Sequence, residues 1–348
     1  MTTLIYGAYG YTGERIARVA AKRGLDIIVA GRHGTKTRGL GVELGVESRV
    51  FEPSNANSSL NEVETVLNCA GPFEQTADPI VDACLDTGTA YLDITGELPV
   101  FEALAERDRE AEEAGIPLLP GLGFDIVPTD CLACHLHDRL PDATQLRLGV
   151  EARTDVSGGT VASAVEHAGR GACIRRDGVL ERATIGSHSQ EIDFGNGSRN
   201  AGLLPLADVS TAYYTTGIEN IETYMALPEL ATHTLQLTQP LSALLAVTPV
   251  KRTVQQLARW LVGSPSERGS VFVWGEASHG EETVCSRLET PDPYALTVNA
   301  TTTALQRLNA MDTLPTGFET PAVVFDADFV LGLDGVEGFH DDPVTGSV

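Results

Sequence analysis

The stretch LIYGAYGYTG near the start of the chain constrains the fold more than any other segment. An apolar run over residues 3–6 leads directly into Gly7, Gly10 and Gly13, and an amphipathic stretch over 12–23 follows. Glycines at this spacing allow a sharp turn off a strand, close approach of a ligand to the backbone and tight packing of the next helix. The pattern favours a dinucleotide pyrophosphate site over a plain structural turn.

Apolar runs and helical stretches alternate through the first third of the chain. Such alternation predicts βαβ units and a parallel sheet. Strands are expected at 3–6, 26–30, 49–51, 65–69, 90–94 and 116–119, and helices at 12–23, 78–86 and 100–115.

Near residue 125 the pattern changes. PTDCLACHLHDRL predicts a helix capped by Thr129 or Asp130, and an apolar helical run covers 241–262. Strand-like runs lie on both sides of this apolar run. YALTVNATTTALQRLNAM and PAVVFDADFVLGL then predict two helices, and the last residues, HDDPVTGSV, predict a frayed tail. The fold class is therefore α/β: a Rossmann domain with a parallel sheet (1–125), a second α+β domain (126–295), and C-terminal helices (296–348) returning to the first. The strand-like runs of the second domain are QLRLGVEA, SQEIDFG, GSVFVWGEAS and EETVCSRLET.

The residues after the second strand indicate which dinucleotide is bound. A site for NAD places an acidic side chain there, on the ribose hydroxyls. This chain has Arg32, which lies 32 − 13 = 19 residues beyond the last glycine, with Lys36 close by. A guanidinium pairs well with a phosphate, so these residues favour NADP(H), although ordinary solvated charges would look the same.

The charge balance narrows the range of partners. The chain carries 48 acidic and 24 basic residues, so its formal net charge is −24, and its only lysines are Lys22, Lys36 and Lys251. Such a surface is unsuited to nucleic acid and indicates adaptation to high salt. We expect neither a signal peptide nor a transmembrane segment, and therefore a cytoplasmic protein.

Five segments taken in order resemble the saccharopine dehydrogenase-like oxidoreductases, in particular the branch of trans-acting enoyl reductases. They are GAYGYTG, VAGR, NCAGPF, YLDITGE and PGLGFDIVPTD, with the shorter SGGT, YALT and TPA extending the likeness into the second half. One departure is GRHGTKTRGL, which is rich in glycine where relatives begin a helix. The resemblance implies an NADP-binding Rossmann domain, an α+β domain and an active site between them.

Segments at the ends of the strands are expected to form the cofactor site, because ligands in open α/β sheets bind beyond the carboxyl ends of the strands. Asp93 and Glu97 could instead cap the turn before the helix at Pro99. The residues expected to bind NADP(H) are Gly7, Tyr9, Gly10, Tyr11, Thr12, Gly13, Arg32, Lys36, Ala70, Gly71, Pro72, Phe73, Asp93 and Gly96.

The segment CLACHLH contains the spacing C-x-x-C-H. Haem attachment would need export, and a zinc site from Cys131, Cys134 and His135 lacks an obvious fourth ligand. A buried helix face explains the residues better, so we expect no metal. No His pairs convincingly with a Ser or Cys, which argues against a hydrolase triad.

These observations favour NADPH-dependent reduction of an activated C=C bond in a lipid-like or polyketide-like enoyl substrate. Backbone N–H groups or a hydroxyl near Asp125–Thr129 would stabilise the developing enolate oxygen, and Tyr294 or water would donate the proton. A role of Asp125 and Thr129 in shaping the domain crossing is the alternative. Two alternatives stay open: imine reduction of the saccharopine type, and an NADP-binding sensor without turnover. The substrate is expected to be a small hydrophobic molecule, and a homodimer is left open. Imine reduction would need carboxylate-binding arginines, for which the second domain offers Arg153, Arg170, Arg175, Arg176 and Arg182.

The acidic surface leads to a prediction about salt. Thermal stability should rise steeply between low and molar KCl, because at about 1 M salt the screening length falls to about 3 Å and repulsion between surface carboxylates is removed. Melting temperatures across a KCl series measure this, and a flat series would refute salt adaptation.

Overall fold

The computed structural model describes residues 1–152, 172–184, 188–204, 206–226 and 269–346. The chain divides into two compact units. The first unit comprises Met1–Cys131 and Pro293–Asp334, and the second comprises Leu132–Asp292 and Gly335–Val348.

The strands fall into two sheets, one in each unit. In chain order they are β1 (Thr3–Tyr6), β2 (Ile27–Gly31), β3 (Glu47–Val50), β4 (Thr65–Asn68), β5 (Ala90–Asp93), β6 (Pro117–Leu119), β7 (Gln145–Ala152), β8 (Ala172–Arg176), β9 (Val179–Ala183), β10 (Ser189–Asp193), β11 (Ser198–Leu203), β12 (Asn220–Ala226), β13 (Val271–His279), β14 (Glu282–Thr290), β15 (Gly317–Phe318) and β16 (His340–Asp341).

Among the described residues, most helices belong to the first unit. In chain order they are α1 (Tyr11–Lys22), α2 (Gly34–Leu44), α3 (Phe73–Thr87), α4 (Leu98–Ala105), α5 (Asp108–Ala114), α6 (Val127–Arg139), α7 (Asp208–Thr216), α8 (Pro293–Ala310) and α9 (Pro321–Phe325).

The sheet of the first unit has the strand order β15-β6-β5-β4-β1-β2-β3, and every pairing is parallel. Its inner strands β1, β2, β4 and β5 are buried along their whole length, as expected when helices cover both faces. The order of β1 to β6 is that of a doubly wound dinucleotide fold, and the strand order reverses between β1 and β4. The expected Rossmann domain with a parallel sheet is confirmed.

The C-terminal part of the first unit extends this sheet. Helix α8 packs along α1, where the Arg23 guanidinium bonds Thr303 and Asn299. Strand β15 then pairs with β6, and the buried carboxylate of Asp130 accepts the N–H of Ala322 at 2.8 Å, at the start of α9. Residues 293–334 are therefore an integral part of the first unit.

The second unit is built on a mixed sheet. Along its main path the order is β10-β11-β12-β7-β13-β14-β16, with the β8–β9 hairpin joined to β12. Strands β7 and β12 run parallel, whereas β7 and β13 run antiparallel. One face packs an apolar cluster around Phe194, Trp274 and Tyr224. The expected α+β character of this part is confirmed.

Two expected helices are divided in the structure, and one helix forms that was not expected. The stretch predicted as one helix over 100–115 is broken into α4 and α5 near Arg107, whose guanidinium reaches Asp82 of α3 at 2.8 Å. PAVVFDADFVLGL forms α9 and a 3-10 turn, separated at Asp326, whose φ is +67°. The glycine-rich GRHGTKTRGL does form a helix, α2.

The predicted caps and tail also need correction. Helix α6 begins at Val127, ahead of both predicted caps. Residues 340–341 of the expected frayed tail pair with β14, and Arg139 holds this segment by bonding Asp341 at 2.9 Å. The tail thus belongs to the second unit rather than to the first.

Two predicted features lie outside the described residues, namely the SGGT segment at 157–160 and the apolar run at 241–262. Among the described residues, no helix combines the length and the apolar character that crossing a bilayer requires.

Candidate cofactor and active site

The predicted glycine loop connects β1 to α1 at the point where the strand order reverses. Gly7 has φ +79°, and a Cβ placed on it would lie 2.9 Å from Cβ of Ala70, which follows β4. A Cβ on Gly13 would lie 2.5 Å from the carbonyl oxygen of Gly7. Any side chain at either position would force the loop apart, so the glycines are required by sterics.

The start of α1 is suited to an anion. No side chain of the described residues caps it at Gly10, and the helix dipole adds partial positive charge there. Tyr11 and Thr12 form the first turn, and Gly10 presents no side chain to an incoming phosphate. This geometry fits the pyrophosphate of a dinucleotide.

A second cluster lies at the end of β2, where the adenosine half of a dinucleotide would bind. The Tyr9 ring lies against Gly31, with the His33 ring edge-on at 5.6 Å and the Lys36 Nζ at 5.8 Å from its centroid. Arg32 is exposed beside them. These groups offer two cations and an aromatic face, which together fit a ribose 2′-phosphate and an adenine.

The loop after β4 is held by a carboxylate from the next βα connection. Glu97 accepts hydrogen bonds from the N–H groups of Phe73 and Glu74, both at 2.9 Å, and thereby caps α3. This contact fixes the segment Ala70–Gly71–Pro72–Phe73 relative to the loop after β5. Neither role considered for Glu97 from sequence, a cap before Pro99 or a ribose ligand, matches this cap on α3.

Asp93 is fully buried at the end of β5. Its carboxylate accepts hydrogen bonds from the N–H groups of Thr95 and Gly121 and from the Tyr91 hydroxyl, each at 2.9 Å. Burial raises the pKa of Asp93 to about 6 although these donors oppose the rise. The structure thus gives Asp93 the turn-capping position rather than the direct cofactor contact expected from sequence.

Asp125 lies on the loop after β6, directly against Gly96. A Cβ at Gly96 would come within 2.9 Å of both Cβ and Oδ2 of Asp125. The loops after β5 and β6 therefore meet here, and Asp125 is exposed at that meeting point. Asp125 therefore lies at the carboxyl edge of the sheet.

Tyr294, in the first turn of α8, lies beside the glycine loop. Its ring packs edge-on against Tyr11 with 4.9 Å between centroids, and the guanidinium of Arg15 lies 4.0 Å from the centroid of Tyr11 on α1. The structure thus brings the proposed proton donor next to the pyrophosphate loop, although about 280 residues separate the two in sequence.

Two threonines of α8 that sequence reasoning did not select support the same region. The hydroxyl of Thr297 accepts the N–H of Phe124 at 3.0 Å, and that of Thr301 donates to the carbonyl of Leu122 at 2.7 Å. They fix the loop that carries Asp125. Thr297 belongs to the YALT segment, and the family resemblance of that segment could have pointed to it. No sequence pattern pointed to Thr301.

Thr129 does not join this group. It is buried, and its hydroxyl donates to the carbonyl of Ile126 at 2.9 Å. Because this bond uses the donor that an oxyanion would need, the geometry does not support the catalytic role expected for Thr129.

Comparison with known proteins agrees with this geometry. Residues 3–119 match the family described as saccharopine dehydrogenase NADP binding domain. The predicted family resemblance and the predicted cofactor, NADP(H), are confirmed for this domain.

Curated relatives match part of the chain. A saccharopine dehydrogenase-like oxidoreductase of Mus musculus is 31% identical over 150 residues, covering 36% of this chain and 35% of that protein. A trans-acting enoyl reductase of Mycobacterium leprae is 29% identical over 178 residues, covering 46% of this chain and 43% of that protein. The matched segments thus span less than half the length of these relatives.

Solved structures share the fold over nearly the whole chain. A saccharopine dehydrogenase (L-Glu forming) from Saccharomyces cerevisiae superposes with a TM-score of 0.67 at 12% identity, covering 98% of this chain and all of that one. An amine dehydrogenase from Mycobacterium smegmatis gives 0.52 at 13% identity, with 98% and 97% covered. At such low identity the likeness establishes the fold alone.

The arginines named from sequence as possible carboxylate-binding residues differ in how exposed they are. Arg175 is only 5% exposed, its guanidinium lies 4.0 Å from the centroid of the Tyr213 ring, and it donates to the carbonyls of Val209 and Gly178. It has a packing role in the second unit. Arg176 and Arg182 are exposed, and Arg153 and Arg170 lie outside the described residues.

The C-x-x-C-H segment lies within α6. Cys131 is fully buried, while His135 stacks on Phe339 at 4.1 Å and approaches Asp341 at 2.9 Å. In the described part of the chain, no group of three or more His, Cys, Asp or Glu side chains is arranged to hold a metal ion. These contacts agree with a packed helix face.

The cluster at the end of β2 leads to a prediction about cofactor preference. Arg32→Ala should weaken binding of NADPH by roughly 10- to 100-fold and binding of NADH much less, because it removes a charge-assisted bond to the 2′-phosphate. Titration calorimetry with both nucleotides measures the difference. Arg109→Ala, on the exposed side of α5, is the matched control, and an equal loss for NADPH and NADH would refute the assignment.

The contact between Gly96 and Asp125 leads to a second prediction. In Gly96→Ala the new methyl group forces apart the loops after β5 and β6. We expect turnover to fall at least about tenfold, because these loops lie at the edge of the sheet where cofactor and substrate must be aligned. Gly39→Ala, where a Cβ would have open space around it, is the control. Undiminished turnover of Gly96→Ala would show that the close contact between these two loops is unimportant for the reaction.

Proposed function

We propose that this chain is an NADPH-dependent oxidoreductase that reduces an activated C=C bond of a lipid-like or polyketide-like enoyl substrate. The observation that carries the proposal is the position of Tyr294 beside the pyrophosphate loop of a domain whose family binds NADP. The similarity to trans-acting enoyl reductases supports the choice of substrate.

In this proposal, different residues of the chain bind different parts of the cofactor. Gly7 to Gly13 and the start of α1 hold the pyrophosphate, and Arg32 with Lys36 holds the 2′-phosphate. The nicotinamide lies along Gly71–Pro72–Phe73. Bound NADPH supplies a hydride, and the protein orients the substrate to receive it.

The donors in the loop after β6 limit how an enolate oxygen can be stabilised. Most of its backbone N–H groups already donate within the protein. The Tyr294 ring lies beside the pyrophosphate loop, and a phenol can donate a hydrogen bond to a developing oxyanion. We therefore assign to Tyr294 both the hydrogen bond to the developing oxyanion and the delivery of a proton to the α-carbon. The engaged N–H groups are those of Gly121, Leu122, Phe124, Ile126 and Val127.

Asp125 supports a second candidate, imine reduction. A carboxylate stabilises the positive charge of an iminium group, whereas it repels a developing enolate. Since Asp125 is exposed where the loops after β5 and β6 meet, it would favour a C=N substrate if it lay next to the reacting carbon. The sign of its effect on rate therefore discriminates between the two reactions.

The deciding experiment combines a substrate panel with one charge-neutral variant. NADPH oxidation is followed in high salt with enoyl thioesters, isoprenoid enones and amino acid–keto acid pairs. Asp125→Asn should leave enoyl reduction unchanged or faster, but should slow imine reduction at least about tenfold, because only the imine needs the negative charge. Glu113→Gln, an exposed acid of α5, is the control for loss of one charge.

Each outcome selects one function. Turnover of enoyl substrates that tolerates Asp125→Asn supports the proposal. Turnover only of the amino acid–keto acid pairs, abolished in the same variant, replaces it with imine reduction. Tight NADPH binding without turnover of any substrate replaces it with a sensor.

A further inference from the structure

A chain of buried polar side chains lies beneath the carboxyl edge of the first unit's sheet. We call Asn68, Thr76, Tyr91 and Asp93 the buried network. Asn68 Nδ2 donates to the Thr76 hydroxyl at 3.1 Å and to the Tyr91 hydroxyl at 3.3 Å, and Tyr91 donates to Asp93 Oδ2 at 2.9 Å. Asn68, Tyr91 and Asp93 are all 0% exposed.

The remaining bonds of the buried network end on loop backbone. At β4, Asn68 Oδ1 accepts the N–H of Ala70 at 3.0 Å, and the Thr76 hydroxyl donates to the carbonyl of Ala70 at 2.7 Å. At β5 and β6, Asp93 Oδ1 accepts the N–H groups of Thr95 and Gly121. One connected set of side chains thus sets the positions of the loops after three successive strands.

Stability alone does not explain polar residues here. Their neighbours along the strands, Val66, Leu67 and Leu92, are buried and apolar. Burying a carboxylate and a phenol carries a desolvation cost that their hydrogen bonds only offset, and apolar side chains could fill the same volume. Burial also raises the pKa of Tyr91 and that of Asp93, as expected for groups removed from water. What such a network does supply is a fixed geometry for the groups it bonds.

The adenosine side of the site is built from other residues. Tyr9, Arg32 and Lys36 lie at the ends of β1 and β2, and none of the buried network's hydrogen bonds described above reaches them. Of the three loops that the network does hold, the loop after β4 is the one assigned above to the nicotinamide, and the loops after β5 and β6 contact one another beside it. The two halves of the dinucleotide thus rest on separate sets of contacts.

We propose that Asn68, Tyr91 and Asp93 are positioning residues that fix the nicotinamide half of the cofactor site and leave the adenosine half unaffected. The inference rests on the proposed function, because that function places the nicotinamide along the loop after β4. The network acts through the loop backbone of Ala70, Thr95 and Gly121, and its members touch neither cofactor nor substrate.

The experiment compares two ligands that share the adenosine half. NADPH carries the nicotinamide, whereas 2′,5′-ADP carries the adenosine and the 2′-phosphate without it. Tyr91→Phe breaks the link between Asn68 and Asp93, and Asp93→Asn turns the acceptor facing Tyr91 into a donor. For both variants we expect the Kd of NADPH to rise roughly tenfold and the Kd of 2′,5′-ADP to rise less than about twofold. A tenfold rise in Kd is about what the loss of one net hydrogen bond produces.

The matched control is Tyr6→Phe. Tyr6 is a buried tyrosine of the same sheet whose hydroxyl donates at 3.2 Å to the carbonyl of Phe51, after β3. It removes the same atom from the same kind of environment without touching the buried network. The ratio of the two Kd values should therefore stay at its wild-type level, even where the melting temperature falls as far as in Tyr91→Phe.

The ratio of the two Kd values decides the matter, because a general loss of folded protein weakens both ligands alike. A selective loss of NADPH in both network variants supports the inference. Parallel losses for the two ligands, or no loss of NADPH in either variant, overturn it while leaving the proposed function standing. A wild-type protein that binds neither ligand overturns both.

Discussion

The close approach of the loops after β1 and β4 is the constraint on which the first unit depends. Gly7 and Ala70 face each other so closely that a single added carbon would fill the space between them. This proximity follows from the reversal of strand order between these strands, which are neighbours in the sheet although about 60 residues separate them. It brings the pyrophosphate loop and the loop assigned to the nicotinamide to one edge, where a single dinucleotide can reach both.

Much of this arrangement could be predicted from sequence, because it is written in local patterns. The glycine spacing predicted the turn from β1 into α1, and buried apolar runs predicted the inner strands to within a residue or two. The identity of Arg32 predicted NADP(H) because its distance from the last glycine is set by the length of one βα unit. Each of these inferences needed only neighbouring residues.

The support of the site could not be predicted in the same way. Glu97 caps a helix that begins 24 residues earlier, and Thr297 holds a loop 173 residues away. Such bonds depend on how the chain returns to the sheet, which no local period encodes. For the same reason the sequence placed Asp93 at the cofactor, although its carboxylate bonds Tyr91 and Gly121 inside the protein. It also placed Thr129 at the substrate, although the Thr129 hydroxyl donates to the carbonyl of Ile126.

The return of residues 293–334 has a consequence for the order in which the protein is made. The first unit's sheet ends in β15, and the aromatic ring beside its pyrophosphate loop comes from α8. Both leave the ribosome only after strands β7 to β14 of the second unit have been made. Until then β6 is an open edge and α1 lacks its partner helix, so the nascent first unit exposes the kind of strand edge that invites pairing with other chains. Before that stage the cofactor site is incomplete. The cofactor would therefore bind tightly only after residues 293–334 had packed against the first unit's sheet.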